Sequence, residues 1–345
     1  MIGFSFRLTV SVHLLPLFLL LLCSCQPRHA ERTVVVYASI DQVVSEPILK
    51  QFETATGIRV LPVYDVEATK TTGLANRLIA EKPHPQADVF LSGEFSQTLL
   101  LKNQGVLAAY RSPAAADLPA QFADADGFWT GIGGRARILL VNTRRVPRDR
   151  FPRSIFDLLD ERWPADQLAI GLPLFGTSAT HAAALYAALG PEKARDFYRR
   201  LRARGVRVVD GNSVVRNLVV RGDLAFGLTD TDDACEALRN GAPVAIVVPD
   251  QAESGLGTLA IPGTAALIAR APHPAEGRQL LDFLLSKAME EQLAAMGWSQ
   301  VPLRPSVAAP AWLPPGGFKQ MSVNLADVFA QLSTSKKDLT DIFLR

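Results

Sequence analysis

The sequence predicts an α/β protein of two lobes, with a chain that crosses between them more than once. Three observations carry this. From Thr33 onward, short β-rich runs alternate with amphipathic stretches of about ten to fifteen residues, the pattern of a mostly parallel sheet covered by helices on both faces. The glycine-bearing run "DGFWTGIGGRARILLVNT" (126–143) breaks that rhythm, and a second alternating set begins after it. A further passage with Gly255 and Gly257 then leads into "TLAIPGTAALIAR", which reads as a return to the first lobe. The 345 residues, 48% hydrophobic and 20% charged, suffice for a sizeable core in one large or two medium domains. With 36 Lys and Arg against 34 Asp and Glu, the field is too balanced to hold nucleic acid. The arginines around 144–153 and 199–207 have few interleaved aromatics and read as solvated faces.

At the N-terminus, Arg7 precedes the apolar run Leu8 to Leu22, which is interrupted by His13 and Pro16. It is shorter than the ~20 apolar residues of a bilayer span, so 1–25 is expected to be a secretory signal. Its end, "LCSC", resembles the lipobox of bacterial lipoproteins and makes Cys25 the expected site of acylation; an ordinary signal without lipid is the alternative. "QPRHAER" (26–32) is then a polar tether. Of three cysteines, Cys23 leaves with the signal, Cys25 carries lipid and Cys235 stands alone, so no internal disulfide is expected.

The first lobe is expected at 33–135 plus 258–308. Its elements run strand "TVVVYAS", helix "VVSEPILKQFETATG" stopped by Gly57, strand "IRVLPVYD", helix "TGLANRLIAEK", strand "ADVFLSG" and helix "FSQTLLLKNQG" ending at Gly105. The second lobe, 136–257 plus 309–345, contains "SIFDLLDERW", "LAIGLPL", "ATHAAALYAALG", "PEKARDFYRRLRARG", "VRVVDGNSVVRNLVVRG", "LAFGLTD", "DDACEALRNG" and "PVAIVVPDQ".

Ligands of open α/β sheets bind beyond the carboxyl ends of the strands. The candidate ligand-binding residues are therefore Ser39 and Asp41 after the first strand, Tyr64 and Glu67 after the second, Glu94 after the third, and Arg135 in "GGRAR". From the second lobe come Thr177, Ser178 and Ala179 in "GTSATH", Asn212 in "DGNS", and Asp230 and Asp232 in "LTDTDDA". A helix starting near Thr177 offers free N–H groups and about half a positive charge to an oxyanion, with the hydroxyls of Thr177, Ser178 and Thr180 beside it; plain N-capping is the alternative. Arg135 adds a forked donor for carboxylate or phosphate, while Arg137, Arg144 and Arg145 are expected on the surface. Asp230 and Asp232 would meet the positive part of a ligand, and Asp233 with Glu236 reads as a capping box. Carboxylates gathered near Asp41, Glu67 and Glu94 would repel one another unless a cation sat among them.

At these strand ends the sequence resembles the substrate-binding proteins of ABC importers, specifically the periplasmic ferric-ion-binding family and its relatives that take phosphonates or phosphosugars. "VVVYASIDQ", "FETATGIRV", "PQADVFLSGE", "GVLAAY", "GGRARILLVNT", "GNSVVRNLVVRGDLAFGLTD" and "APVAIVVPDQ" carry the resemblance, in the family's order, over most of the chain from Thr33. It implies the type II periplasmic-binding-protein fold, two α/β lobes joined by crossing strands that hinge shut on a ligand handed later to a membrane permease. It also implies an anion site at Ser178, Ala179, Asn212 and Arg135. The family's metal site would fall on Asp41 in the histidine position, Glu94 as the matching glutamate, and "TDTDD" where a tyrosine pair is expected; Asp41, Glu94 and Asp232 are the ligands if the cargo is a cation. Two ligand classes follow: a small organic anion or zwitterion such as an aminophosphonate, or a ferric or divalent ion bound by carboxylates, with Tyr37 or Tyr64 and a synergistic anion. No resident cofactor is expected, a metal ion or phosphate-like anion being cargo, and the protein is expected to be a monomer.

Enzyme signatures are poor. "GIGGRA" and "GLGTLA" fit G-x-G-x-x-A, but the first runs into a strand rather than a helix. Ser178 and His181 lack a third orienting group, and histidines 13, 29, 84, 181 and 273 show no paired metal spacing. A lipoprotein scaffold that binds another protein through its helical faces is the remaining class.

Overall fold

The β-branched run "TVVVYA" forms β1 (Thr33–Ala38), and α1 (Gln42–Thr56) follows, closed by Gly57 at φ 69°, where a side chain would be strained. Next come β2 (Arg59–Tyr64), α2 (Gly73–Ala80), β3 (Val89–Ser92), α3 (Ser96–Asn103) and the short β4 (Leu107–Ala108). The long β5 (Thr130–Asn142) leads to β6 (Leu168–Gly171), α4 (Gly176–Leu189), α5 (Pro191–Arg204), β7 (Arg207–Val209), α6 (Asn212–Arg221), β8 (Phe226–Asp230), α7 (Thr231–Arg239) and β9 (Val244–Val247). The chain ends with β10 (Ala260–Ile268), α8 (Pro274–Leu284), α9 (Lys287–Ala295) and α10 (Leu325–Phe343). This computed structural model describes residues 1–3, 5, 32–40, 42–65, 73–313 and 317–345. The signal and lipobox with Cys25, most of the tether, and the candidates Asp41 and Glu67 lie outside the described residues. All of the described helices and strands belong to one unit, Arg32–Arg345.

The strands join in the order β2-β1-β3-β10-β5-β8-β6-β7, with β4 beside β10 and β9 beside β5. The flanks are parallel, as the alternating pattern predicts: β1 pairs with β2 and β3, and β6 with β7 and β8. The middle is antiparallel, which alternation alone does not foretell. β10 runs against β3 and β5, and β5 runs against β8 and β9.

β5 has 13 residues and changes partner midway. Thr130–Ala136 lie against β10, whereas Arg137 pairs with Asp230 at the end of β8. The strand therefore carries the chain from one half of the sheet to the other, and β10 with its irregularity at Pro262/Gly263 carries it back. Helices cover each half with apolar faces. Val34 and Val36 of β1 pack with Phe52 of α1 and Leu281 of α8, all buried. Tyr186 of α4, Phe226 of β8 and Leu339 of α10 are buried in another cluster, and α10 packs on α4 and α5. Fully burying such a side chain is worth about 1.5–3 kcal/mol, so these clusters hold the strand ends in place.

Candidate functional site

Alternate residues of a strand share a face, so β5 sends Arg135 and Arg137 to the same side, one on each flank of its change of partner. Arg137 is only 1% exposed and is not on the surface, which corrects the sequence expectation. The reason is its register opposite Asp230: Nη1 of Arg137 donates to Oδ1 of Asp230 at 2.5 Å and to Oδ1 of Asn212 at 3.0 Å. The other Asp230 oxygen accepts from the Thr177 hydroxyl and, at 3.0 Å, from Nδ2 of Asn212. Ser178 completes the cluster, its hydroxyl donating to Oδ1 of Asn212 at 3.1 Å. β5, α4, α6 and β8 are thus tied together by one buried ion pair whose carboxylate oxygens are both hydrogen-bonded, which offsets part of the cost of burying it, while Nε of Arg137 is buried without a partner. His181, buried nearby, is held well below its ordinary pKa by burial and by the Arg137 charge, and is a neutral imidazole.

In front of this cluster lies a cleft of about 530 Å³. Of the sequence-predicted residues, Ser39, Glu94, Arg135, Thr177 and Asp232 line it. Asp230, Asn212 and Ser178 form the layer behind Thr177 rather than the wall, their polar atoms engaged with one another and with Arg137. Ala179 is absent from the wall, and its N–H is spent on the carbonyl of Phe175. The first-turn donors that reach the cleft are those of Gly176 and Thr177. The hydroxyl of Thr180 turns back to the Gly176 carbonyl at 3.3 Å and adds nothing to an anion cradle.

Arg135 spans the cleft floor. Nη2 donates to the Gly93 carbonyl at 2.7 Å and Nη1 to Oδ2 of Asp232 at 3.0 Å. Burial works against its charge, but Asp232, Asp230, Glu94 and Asp233 hold its pKa above the ordinary value. Oδ1 of Asp232 is buried with no hydrogen-bond partner. Burial raises the Asp232 pKa, Arg135 opposes the rise, and Asp230 adds to it. Backbone N–H groups of Asp233 and of Asp232 itself also oppose the rise. The carboxylate lines the cleft with its side chain 43% exposed, while Oδ1 itself is shielded from solvent.

The expected Asp233–Glu236 capping box is not formed. α7 starts at Thr231 with Asp230 at its N-cap, so Asp233 lies inside the first turn, where it accepts from the Thr229 hydroxyl at 3.0 Å and pairs with Arg216 at 3.4 Å. Burial, Asp232 and Asp230 push its pKa up to about 7. Glu94 lines the cleft, yet its oxygens accept from the N–H groups of Ser96 at 2.9 Å and Gln97 at 3.4 Å and from the Ser96 hydroxyl, which fixes the start of α3. Neither tyrosine weighed as a metal donor faces the cleft. Tyr37 is fully buried and its hydroxyl donates to Glu81 at 2.9 Å, with burial and Glu81 pushing its pKa up to about 12. Tyr64 packs against the core of α1 and β1, where burial raises its pKa. Among the described residues, no group of three His, Cys, Asp or Glu side chains is placed to hold a metal ion.

Sequence reasoning missed much of the rest of the wall: Ile40 just before α1, Val43 and Val44 in its first turn, Met296, Trp298 and Gln300 after α9, and Arg239 at the end of α7. Only their nearness to strand and helix ends marks them. Val43 and Val44 read as an ordinary helix start, and Trp298 comes from a segment more than 200 residues away in sequence.

An α/β fold with a polar cleft over its crossing strands defines a class, the two-lobe binding proteins. Residues 84–315 match the profile of the bacterial extracellular solute-binding proteins, and the chain belongs to that family. It is 24% identical over 217 residues to the Fe(3+)-binding periplasmic protein of Serratia marcescens, covering 63% of this chain and 62% of that one. It is 26% identical over 292 residues to a Salmonella paratyphi A protein provisionally named 2-aminoethylphosphonate-binding periplasmic protein, covering 81% and 82%. Among solved structures, iron-bound HitA from Pseudomonas aeruginosa superposes with a TM-score of 0.78 at 24% identity over 89% of this chain and 99% of that one. The fold is that of the two-lobe type II periplasmic binding proteins, and the chain is a periplasmic solute-binding protein of the ABC-import type.

Proposed function

We propose that this protein captures a small zwitterionic organic ligand, such as an aminophosphonate, in the cleft and delivers it to an ABC permease. The observation that carries the reading is the partly exposed Asp232 carboxylate, one oxygen of which has no hydrogen-bond partner, set in the same cleft as Arg135 and the first turn of α4. A carboxylate oxygen without a donor suits an ammonium group, while a helix N-terminus and a guanidinium suit an oxyanion. Thr177, Arg135 and Asp232 are the ligand contacts in this account, with Ser39 beside them, while Asn212, Ser178 and Asp230 hold Thr177 and the start of α4 in place. The lobes meet where β5 changes partner, 33–135 plus 258–308 forming one and 136–257 plus 309–345 the other, a division supported by the packing of α10 on α4 and α5. We assign acylation to Cys25, which would tether a monomer to the membrane beside its permease.

Capture of Fe³⁺ with a synergistic anion is the second reading, favoured by the name of the Serratia marcescens relative and by the acidic start of α7. Donor chemistry weighs against it: Fe³⁺ prefers hard anionic oxygen donors, yet Tyr37 and Tyr64 are turned into the core and Glu94 is committed to α3. Native mass spectrometry of the protein recovered from its own periplasmic fraction separates the two. A co-purified organic mass that dissociates unchanged is the expected result. Stoichiometric iron with no organic amine would overturn the proposal.

A further inference from the structure

The head-group contacts occupy only part of the cleft, whose volume of about 530 Å³ falls within the range of about 300–1,000 Å³ typical of drug-sized ligands. A ligand no larger than its charged groups would leave most of that space to water. Apart from Gln300, the rest of the first-lobe wall is mainly apolar: Ile40 just before α1, Val43 and Val44 of α1, and Met296 and Trp298 from the segment after α9. Two of these are exposed to a degree unusual for large apolar side chains, Val43 at 80% and Met296 at 43%. Apolar groups left open beside a polar cleft mark a surface that something covers.

Trp298 is seated deliberately. Its ring lies across the two crossing strands at Gly133 and Gly263, where an added Cβ would come within 2.7 Å of Cζ3 and 3.1 Å of Cη2 respectively. Any side chain at either glycine would lift the indole off the strands. Opposite this wall, Arg239 of α7 packs over Gly297, which has no Cβ to obstruct the guanidinium, so the second lobe reaches the apolar segment directly.

We propose that the natural ligand carries a ring-sized apolar substituent that packs on Trp298, Met296 and Val43 while its charged ends meet Asp232 and Arg135. This deepens the zwitterion reading above and rests on it. Trp298, Met296 and Val43 line the same cleft, which brings three apolar side chains within reach of one ring.

Calorimetric titration of the full chain with two probes tests the inference: 2-aminoethylphosphonate and (2-amino-2-phenylethyl)phosphonate, which bear the same charged groups and differ by one phenyl ring. Burying that ring predicts tighter binding of the phenyl probe by about tenfold or more. The preference should shrink to less than about threefold in Trp298→Ala, and by a smaller factor in Met296→Ser and Val43→Ser, whose exposed positions leave the fold unchanged. Equal affinity for the two probes, or tighter binding of the smaller one, would overturn the apolar subsite while leaving the zwitterion reading intact. A phenyl preference unchanged in all three variants would likewise overturn it, by placing the ring elsewhere. Failure of both probes to bind would overturn the zwitterion reading and this inference together.

Discussion

Arg135 and Arg137 stand two apart in one strand, present the same chemistry and do different work. Arg137 neutralises Asp230 inside the protein, whereas Arg135 holds Asp232 at the cleft floor. Removing one partner of a buried pair strands the other, so Arg137→Met is expected to lower stability by about 3–5 kcal/mol. Asn212→Ala removes donors and acceptors from the same cluster and is expected to cost about 1–3 kcal/mol, whereas an Asn212 acting only on ligand would leave stability untouched. Urea unfolding of both variants beside Arg135→Met, whose pair is partly exposed and is expected to cost about 1 kcal/mol or less, checks this ordering. The identity of the buried arginine was not legible in the sequence. It depends on Arg137 lying opposite Asp230, a register between segments 93 residues apart, and local periodicity treats the two arginines alike.

At the scale of the element, β8 and the start of α7 bring three carboxylates to one corner, Asp230, Asp232 and Asp233. The positive end of the α7 dipole favours acidic groups there, and Arg137, Arg135 and Arg216 meet them one by one. Compensation is incomplete at Asp233, whose pKa is pushed up to about 7 by burial and by its two neighbours. Because this folded value lies above the ordinary carboxylate range, the folded state binds the proton more tightly than the unfolded chain does. The associated stability is fully present at low pH and is lost as pH rises through about 7. Thermal unfolding between about pH 5 and pH 8 is expected to show this loss, and Asp233→Asn to flatten it. Alternation and strand-end position made the helices, the parallel flanks and the acidic corner legible. The antiparallel centre was not, because β5 and β10 meet across more than a hundred residues of intervening chain. The capping box at Asp233 failed because α7 begins earlier, at Thr231, which puts Asp233 inside the first turn, where Arg216 and Thr229 engage it.

For the whole molecule, the two sheet halves are joined through β5 and β10, and the cleft lies over that junction. Gly133, Gly134 and Gly263 line these strands where Trp298, Val301 and Ile132 press against them, so the crossing is thin and closely packed. Closure about such strands would move the halves as bodies. Solution scattering is expected to show a smaller radius of gyration when 2-aminoethylphosphonate is added, and no change would favour a scaffold over a carrier. The two-lobe plan was legible from the broken alternation at 126–143. The apolar side of the cleft was not, since its residues come from α1 and from the segment after α9 and assemble only when the chain returns to the first half.

The most direct measurement is the calorimetric affinity for 2-aminoethylphosphonate of the wild-type protein and of Asp232→Asn. If the Asp232 carboxylate receives the ligand's ammonium group, losing a charge-assisted hydrogen bond of about 1.5–3 kcal/mol should weaken binding tenfold or more while unfolding shifts by about 1 kcal/mol or less. Equal affinity in the two proteins would contradict the account.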